Sequence, residues 1–420
     1  MYRTPRGTSD ILPGEQGYWR LVERAITGTA GLYGYRRIDT PVFEETGLFR
    51  RSAGEFTDVV QKEMYTFEDK GGNSLTLKPE GTPPVCRAYI QHGMHSLPQP
   101  VKLYYVSPIF RYDRPQAGRY RQHHQFGCEA IGEADPALDA EIIDTAWSFY
   151  RSLGLTEISL KLNSIGCRKC RPEYIDSLKE HYARYSGGLC ADCLIRMQNN
   201  PMRLLDCKQA SCQAAADSAP MSADYLCDEC REHFSSLLRY LGLLEIPFEL
   251  DHRMVRGFDY YTRTVFEIVP PGGGSQSSLG GGGRYDDLIE ELGGRPTPAI
   301  GFATGIERTI SSLKEHKVGV PAGPGVRVLI AYLGEQAKDV AIKLAAGLRQ
   351  AGVSAVASTG DKSLKAQMRQ ANSLGVRHAV IIGDEEVSNG TVVLRDMAGA
   401  QQQTVPAGEL AGLLEETPSP

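Results

Sequence analysis

Residues 101–132 read "VKLYYVSPIFRYDRPQAGRYRQHHQFGCEAIG". The two halves, 101–113 and 120–132, are rich in β-branched and aromatic residues and read as strands. Pro115 and Gly118 lie between them, so the chain runs out and back around a hairpin tip. "SLTLKPEGT" (74–82) adds a further strand reading nearby. Strands that come in runs, rather than singly between helices, imply an antiparallel sheet and the α+β class. The tip is also cationic. Arg111 ends one strand, Arg114 and Arg119 occupy the loop and Arg121 opens the return, against a single Asp113. Such a tip is either a solvated hairpin or a contact for phosphate or nucleic acid, whose oxygens match arginine forks.

Around this hairpin the chain falls into three regions. In the first, up to about residue 166, a helix over Leu138–Tyr150 shows apolar residues at three- and four-residue spacing, with Gly154 as a stop. The second, about 167–241, is polar and mostly helical and reads as an insertion. Strand signals then return at 243–269, followed by a glycine-rich stretch at 272–294 and a strand feeding a helix at 297–315. After the Gly/Pro-rich linker "GVPAGPG" (319–325) comes an alternating unit. Its strands are expected at 326–333, 353–358 and 377–383, its helices at 335–352 and 363–374, and a hairpin at Asn389-Gly390. The expected domains are therefore 1–322, with the insertion inside it, and 326–415.

With 420 residues, 41% hydrophobic and 23% charged, the chain has ordinary globular composition and room for two or three domains. A net charge of −5 gives no global support to nucleic-acid binding, which would have to rest on local patches. There is no run of about 18 apolar residues and no signal-type apolar core at the start, so the expected compartment is the cytoplasm. Eight of the ten cysteines form pairs: "CRKC" (Cys167, Cys170), "CADC" (Cys190, Cys193), "CKQASC" (Cys207, Cys212) and "CDEC" (Cys227, Cys230). Repeated C-x2-C pairs suit structural zinc; free thiols, or disulfides formed on oxidation, remain the alternatives.

Other segments carry candidate chemistry. "RGFDYYTRTVFEI" (256–268) is strand-like from Tyr260 on, yet opens with Arg256, which is costly at a half-buried strand unless an anion meets it. "AIGFATGIERTI" (299–310) carries Arg308 where a strand with small residues Gly301, Ala303 and Gly305 turns into a helix. Alone this suits tight packing as well as a ligand at a helix N-terminus. Arg111, Arg256 and Arg308 together suggest a polyphosphate clamp. The run Gly280–Gly283 lacks the Lys-Ser/Thr and βαβ context of a P-loop and suits a strand passing under a flat ligand. "KPEGT" (78–82) sets Glu80 in a turn, where it can accept from an ammonium group. Gln125 and Glu129 share one face of a strand, as part of either a site or an exposed polar face.

These stretches resemble a known family. "FRYDRPQAGRYRQHHQFGCEAIG" resembles motif 2 of the class II aminoacyl-tRNA synthetases, and "AIGFATGIERTI" resembles motif 3. "RGFDYYTRTVFEI" and "GGGRYDDLI" are similar to the two signature stretches of the histidyl-tRNA synthetases, as are "RGTSDILP" and "LKPEGT". The resemblance spans nearly the whole chain. It implies a class II catalytic core, with a mostly antiparallel sheet flanked by helices, and a C-terminal α/β anticodon-binding domain. It also implies activation of histidine by ATP with Mg²⁺ and transfer to tRNA(His). Arg111 and Arg256 would be catalytic, Arg308 would join them on ATP, and Glu80, Gly81, Thr82, Gln125, Glu129, Tyr260 and Tyr261 would hold histidine. Arg114, Arg119 and Arg121 would meet the tRNA acceptor end, and a homodimer would form around residues 20–55. Lys78 and His123 depart from the residues usual there. The competing reading is a non-catalytic regulatory paralogue that binds histidine or tRNA.

Overall fold

The computed structural model describes residues 2–54, 57, 59–113, 119–271, 278–321, 323, 325–399 and 401–415. The chain divides into two compact units, Met1–Val320 and Pro321–Pro420.

The first unit is built on an eight-stranded sheet. Its order is Arg36–Arg37, Val101–Phe110, Gln122–Ile131, Ala299–Gly305, Gly280–Arg284, Thr262–Val269, Ser159–Ser164 and Phe248–Leu250. Both edge strands pair parallel with their neighbours, and the pairings between them are antiparallel. The two strands of the opening stretch pair from Val101 with Ile131 to Phe110 with Gln122. Period-2 alternation divides their side chains. Tyr104, Phe126, Cys128 and Ala130 enter a core shared with helices Gln16–Leu32, Pro136–Ser152, Asp228–Leu243 and Ile306–Glu315. Leu103, Tyr105, Gln125 and Glu129 lie on the opposite face. The helix Pro136–Ser152 starts where Asp135 accepts from the Ala137 N–H and buries Ile142, Ile143, Trp147 and Phe149.

Beside the sheet lies a charged network whose centre, Arg284 with Asp139, is wholly buried. Arg284 donates to Asp139 at 2.7 Å, to Asp286 at 3.0 Å and to the carbonyls of Glu133 and Asp135. His233 Nε2 meets the second Asp139 oxygen at 2.8 Å. Arg284 thus ties the glycine-rich strand to the start of the Pro136–Ser152 helix. The insertion holds the helices Arg171–Ala183, Ala191–Asn199 and Ala210–Asp217 around its own small core, and helix Asp228–Leu243 returns from it to the main core through Leu237 and Leu241.

The second unit has a five-stranded sheet. Ala355–Ala357, Val328–Tyr332 and His378–Ile382 are parallel, and Thr391–Asp396 and Gln402–Pro406 are antiparallel additions. Helices Glu335–Gln350 and Leu364–Leu374 make the crossovers. Asn389-Gly390 is not the hairpin turn. Asn389 ends a helix begun at Asp384, and Gly390, at φ 65°, is its left-handed cap. The hairpin proper joins the next two strands.

Candidate active site

On the sheet face opposite the helices a cavity of about 630 Å³ opens. Arg111, Arg119, Arg256 and Arg308 line it together with Glu80, Thr82, Gln125, Tyr260 and Tyr261. Residues separated by more than 200 positions meet because the Gln122–Ile131, Ala299–Gly305, Gly280–Arg284 and Thr262–Val269 strands are consecutive in the sheet.

One part of the cavity is cationic. Arg111, just past the strand Val101–Phe110, donates from Nε to the Pro79 carbonyl at 2.8 Å, with its guanidinium 5.4 Å from the Phe258 ring centre. Arg308, in the first turn of its helix, donates to the Ser278 carbonyl at 2.9 Å. Burial holds the Arg308 pKa below its usual value, and the charges of Arg119 and Arg111 add to this. Arg256 pairs with Glu267, while its Nε is buried without a hydrogen-bond partner. Beneath it the strand must be glycine: a Cβ on Gly281 would lie 2.9 Å from Arg256 Nη1 and 2.5 Å from the Phe266 carbonyl. Burial, then Arg111 and Arg308, push His123 down to about 3, which leaves it a neutral flat ring on the cavity wall.

The other part is polar and enclosed. Tyr260 donates to Glu80 Oε2 at 2.8 Å, while Glu80 Oε1 is buried with no partner. Burial pushes Glu80 up to about 7, against the Tyr260 hydrogen bond and the Arg111 charge, which hold it down. Tyr105 donates to Gln125 Oε1 at 3.2 Å and fixes that amide. Its ring fits only because Gly81 and Gly127 flank it, where Cβ atoms would stand 2.2 and 2.3 Å from the ring. Glu129 lies below the lining surface and is fully buried. Thr82 donates to it at 2.7 Å, and Tyr285 donates to its other oxygen. Burial raises Glu129 to about 8.

Tyr260 and Tyr261 precede the strand, which begins at Thr262. That turn aims Tyr260 at Glu80 and sets its ring centre 4.6 Å from that of Tyr261. Arg121 turns away from the cavity and stacks 3.8 Å over the Tyr112 ring, with its stem against Gly7. Arg114 lies outside the described residues. Lys78 is buried and donates to Thr40 Oγ1 at 3.0 Å. Sequence reasoning missed Tyr105, Tyr285, Phe258 and Glu267, and also the insertion, whose Cys190, Arg203, Cys207, Lys208 and Gln209 form a further wall. The eight paired cysteines converge in two groups, Cys167/Cys170/Cys227/Cys230 and Cys190/Cys193/Cys207/Cys212.

Comparison with known proteins gives this site its context. The model of the histidyl-tRNA synthetase family matches residues 7–185 and 189–309. The chain belongs to the histidyl-tRNA synthetase family. Residues 327–417 match the anticodon-binding-domain model. A histidine–tRNA ligase of Dehalococcoides mccartyi is 60% identical, covering 98% of each chain, and one of Desulforudis audaxviator is 52% identical, covering 97% and 96%. The apo histidyl-tRNA synthetase of Staphylococcus aureus superposes with a TM-score of 0.83 at 37% identity, covering 98% of this chain and 99% of that one. The synthetase signatures of this family in the chain, "RGFDYYTRTVFEI" and "GGGRYDDLI", lie on neighbouring strands along the cavity. Among the described residues no helix is long and apolar enough to cross a membrane.

Proposed function

We propose that the chain is an active histidine–tRNA ligase, which joins the histidine carboxylate to the α-phosphate of ATP with release of pyrophosphate and then passes histidine to tRNA(His). The observation that carries this reading is one cavity lined by Arg111, Arg119, Arg256 and Arg308 together with Glu80, one of whose buried carboxylate oxygens has no partner. A zwitterionic amino acid beside a polyphosphate satisfies both halves at once. Glu80 accepts from the α-ammonium. Gln125, Tyr260 and Tyr261 take the side chain, with Glu129 and its Thr82 contact fixing that wall; imidazole needs one donor and one acceptor, which these groups supply. A mismatched side chain would leave buried polar groups unpaired, which discriminates by ~10⁴ or more.

In the reaction the carboxylate oxygen attacks the α-phosphorus in line as pyrophosphate leaves. Arg256 bridges carboxylate and α-phosphate, Arg111 binds the α-phosphate from the other side, and Arg308 meets the γ-phosphate and adenine side. Catalysis is then positioning plus stabilisation of charge that grows on phosphoryl oxygens. The carboxylates lining the cavity, Glu267 among them, are hard oxygen donors of the kind Mg²⁺ takes. When bound, Mg²⁺ supplies further charge neutralisation on the phosphates. Structural zinc on the cysteines is a separate matter, which the reaction does not use.

Arg114, Arg119 and Arg121 contact the acceptor end of tRNA, and the unit at 326–415 reads the anticodon, so affinity falls steeply with salt. The protein works in the cytoplasm as a homodimer formed around residues 20–55, where Val42 and Phe43 are exposed. The test is charging of tRNA(His) with labelled histidine. Wild type should charge, and Arg256→Ala should lose roughly 10²–10³ in rate while retaining histidine binding. Histidine binding without charging by wild type would favour the regulatory paralogue.

A further inference from the structure

We propose that the insertion carries two zinc ions, each closed by four thiolates, and that the second of them holds a wall of the catalytic cavity. The first site is Cys167/Cys170/Cys227/Cys230 and the second is Cys190/Cys193/Cys207/Cys212. Within each group the sulfurs all lie within 4.8 Å of one another. The separations are 3.8 Å for Cys167–Cys170, 3.9 Å for Cys167–Cys227 and Cys170–Cys230, and 3.8 Å for Cys190–Cys207. A tetrahedron with Zn–S bonds of about 2.3 Å has sulfur–sulfur edges of about 3.8 Å. A disulfide needs about 2.0 Å, and all ten cysteines are free. An iron–sulfur cluster would interpose its own sulfides and spread the thiolates farther apart.

The local backbone suits thiolates. Cys170, Cys190 and Cys227 are the residues that cap the helices Arg171–Ala183, Ala191–Asn199 and Asp228–Leu243. In the last two helices the C-x2-C partner, Cys193 or Cys230, falls in the first turn, so both sulfurs gather at the positive end of the helix dipole. The N–H groups of Cys167 and Cys190 point at Cys170 Sγ and Cys212 Sγ, each at 3.3 Å. Gly166, at φ +70°, leaves room for Cys170: a Cβ there would stand 2.8 Å from its sulfur. A four-thiolate zinc carries a net charge of −2, and Lys169, Arg171 and Lys208 sit beside the ligands in sequence.

The pairing is nested, which gives each ion a separate task. The first site staples the two ends of the insertion together. The second closes its middle, where the core holds few buried apolar residues besides the cysteines themselves, and cores this small commonly need a metal to be stable. Cys190 and Cys207 of that second site line the cavity together with Arg203, Lys208 and Gln209. The second ion therefore fixes cationic groups beside the proposed ATP and histidine positions. This last step rests on the catalytic reading of the cavity; the metal sites themselves do not.

The test uses the full chain purified without chelator. Plasma mass spectrometry should find two zinc ions per chain, and Cys193→Ala and Cys230→Ala should each leave one. Hydrogen exchange of Cys193→Ala should rise over residues 190–212 and its histidine or ATP binding should weaken several-fold. Should the variants fail to fold, cobalt(II) exchange into wild type should give the thiolate charge-transfer and tetrahedral d–d bands of a four-sulfur site. Zinc at trace level, one ion per chain, iron in its place, or disulfides within these groups in fresh protein would overturn the proposal. Two zinc ions with unchanged cavity binding in Cys193→Ala would overturn the wall role alone.

Discussion

Replacing Glu80 by glutamine keeps the shape of the side chain and removes its charge. The carboxylate is 3% exposed, with Oε2 held by Tyr260 and Oε1 unpaired. A hydrogen bond from an ammonium to a charged acceptor in such a place is worth about 1.5–3 kcal/mol, or roughly 10- to 150-fold in affinity. The wild-type affinity should also depend on pH. The Glu80 pKa, raised by burial to about 7, means that the carboxylate is protonated as pH falls through that value. Only the ionised form attracts the ammonium, so histidine affinity should drop about tenfold between roughly pH 8 and pH 6. Free imidazole titrates near 6.5 as well. The Glu80→Gln variant has that substrate contribution and lacks the carboxylate, so the difference between the two profiles isolates Glu80. Isothermal calorimetry across this range reads both. Equal affinities with parallel pH profiles would refute the assignment of Glu80 to the ammonium.

Gly81→Ala would put a Cβ 2.2 Å from the Tyr105 ring. Overpacking of about 1–3 kcal/mol should displace that ring, release Gln125 and weaken histidine binding at least roughly fivefold in the same calorimetric assay. Tyr285→Phe should cost about 1–3 kcal/mol in urea unfolding, because Glu129 loses a donor. Glu129 is raised to about 8, so its stabilising contribution as a buried acid is present at low pH and lost as pH rises through that value. The Tyr285→Phe deficit should accordingly be larger above about pH 8, where the ionised carboxylate needs the donor most. Arg284→Met takes the ion-pair partner from buried Asp139, leaving it only the His233 contact, and should destabilise by about 3–5 kcal/mol, partly recovered by adding Asp139→Asn. A shift in the denaturant midpoint equivalent to less than about 1 kcal/mol would contradict that role for the network.

The sheet and the arginines were legible for a simple reason. Strand-forming runs around residues 101–132 announce pairing, and an arginine at a strand end, as at Arg111 or Arg256, is anomalous unless an anion meets it. Depth was not legible. Period 2 sets Gln125 and Glu129 on one face, but it cannot say that one lines the cavity while the other lies beneath it. An aromatic ring such as that of Tyr105 or Tyr285 signals burial, whereas their hydroxyls act on partners 20 and 156 positions away. Arg121 looked like its neighbours on the tip, and only the fold turns it onto Tyr112. The Asn389-Gly390 pair has the chemistry of both a hairpin turn and a helix cap, and the short helix from Asp384 decides between them. One cysteine group is nested inside the other in sequence, and four consecutive pairs can be partitioned in more than one way, so the partition required the fold.

The most direct test of the central claim is amino-acid-dependent ATP–pyrophosphate exchange, run with each of the twenty amino acids in turn. The cavity pairs an ammonium acceptor and a polar side-chain pocket with an arginine clamp, so histidine alone should support exchange, at least ~10⁴-fold over any other amino acid. Exchange driven by a different amino acid, or none with histidine, would contradict it.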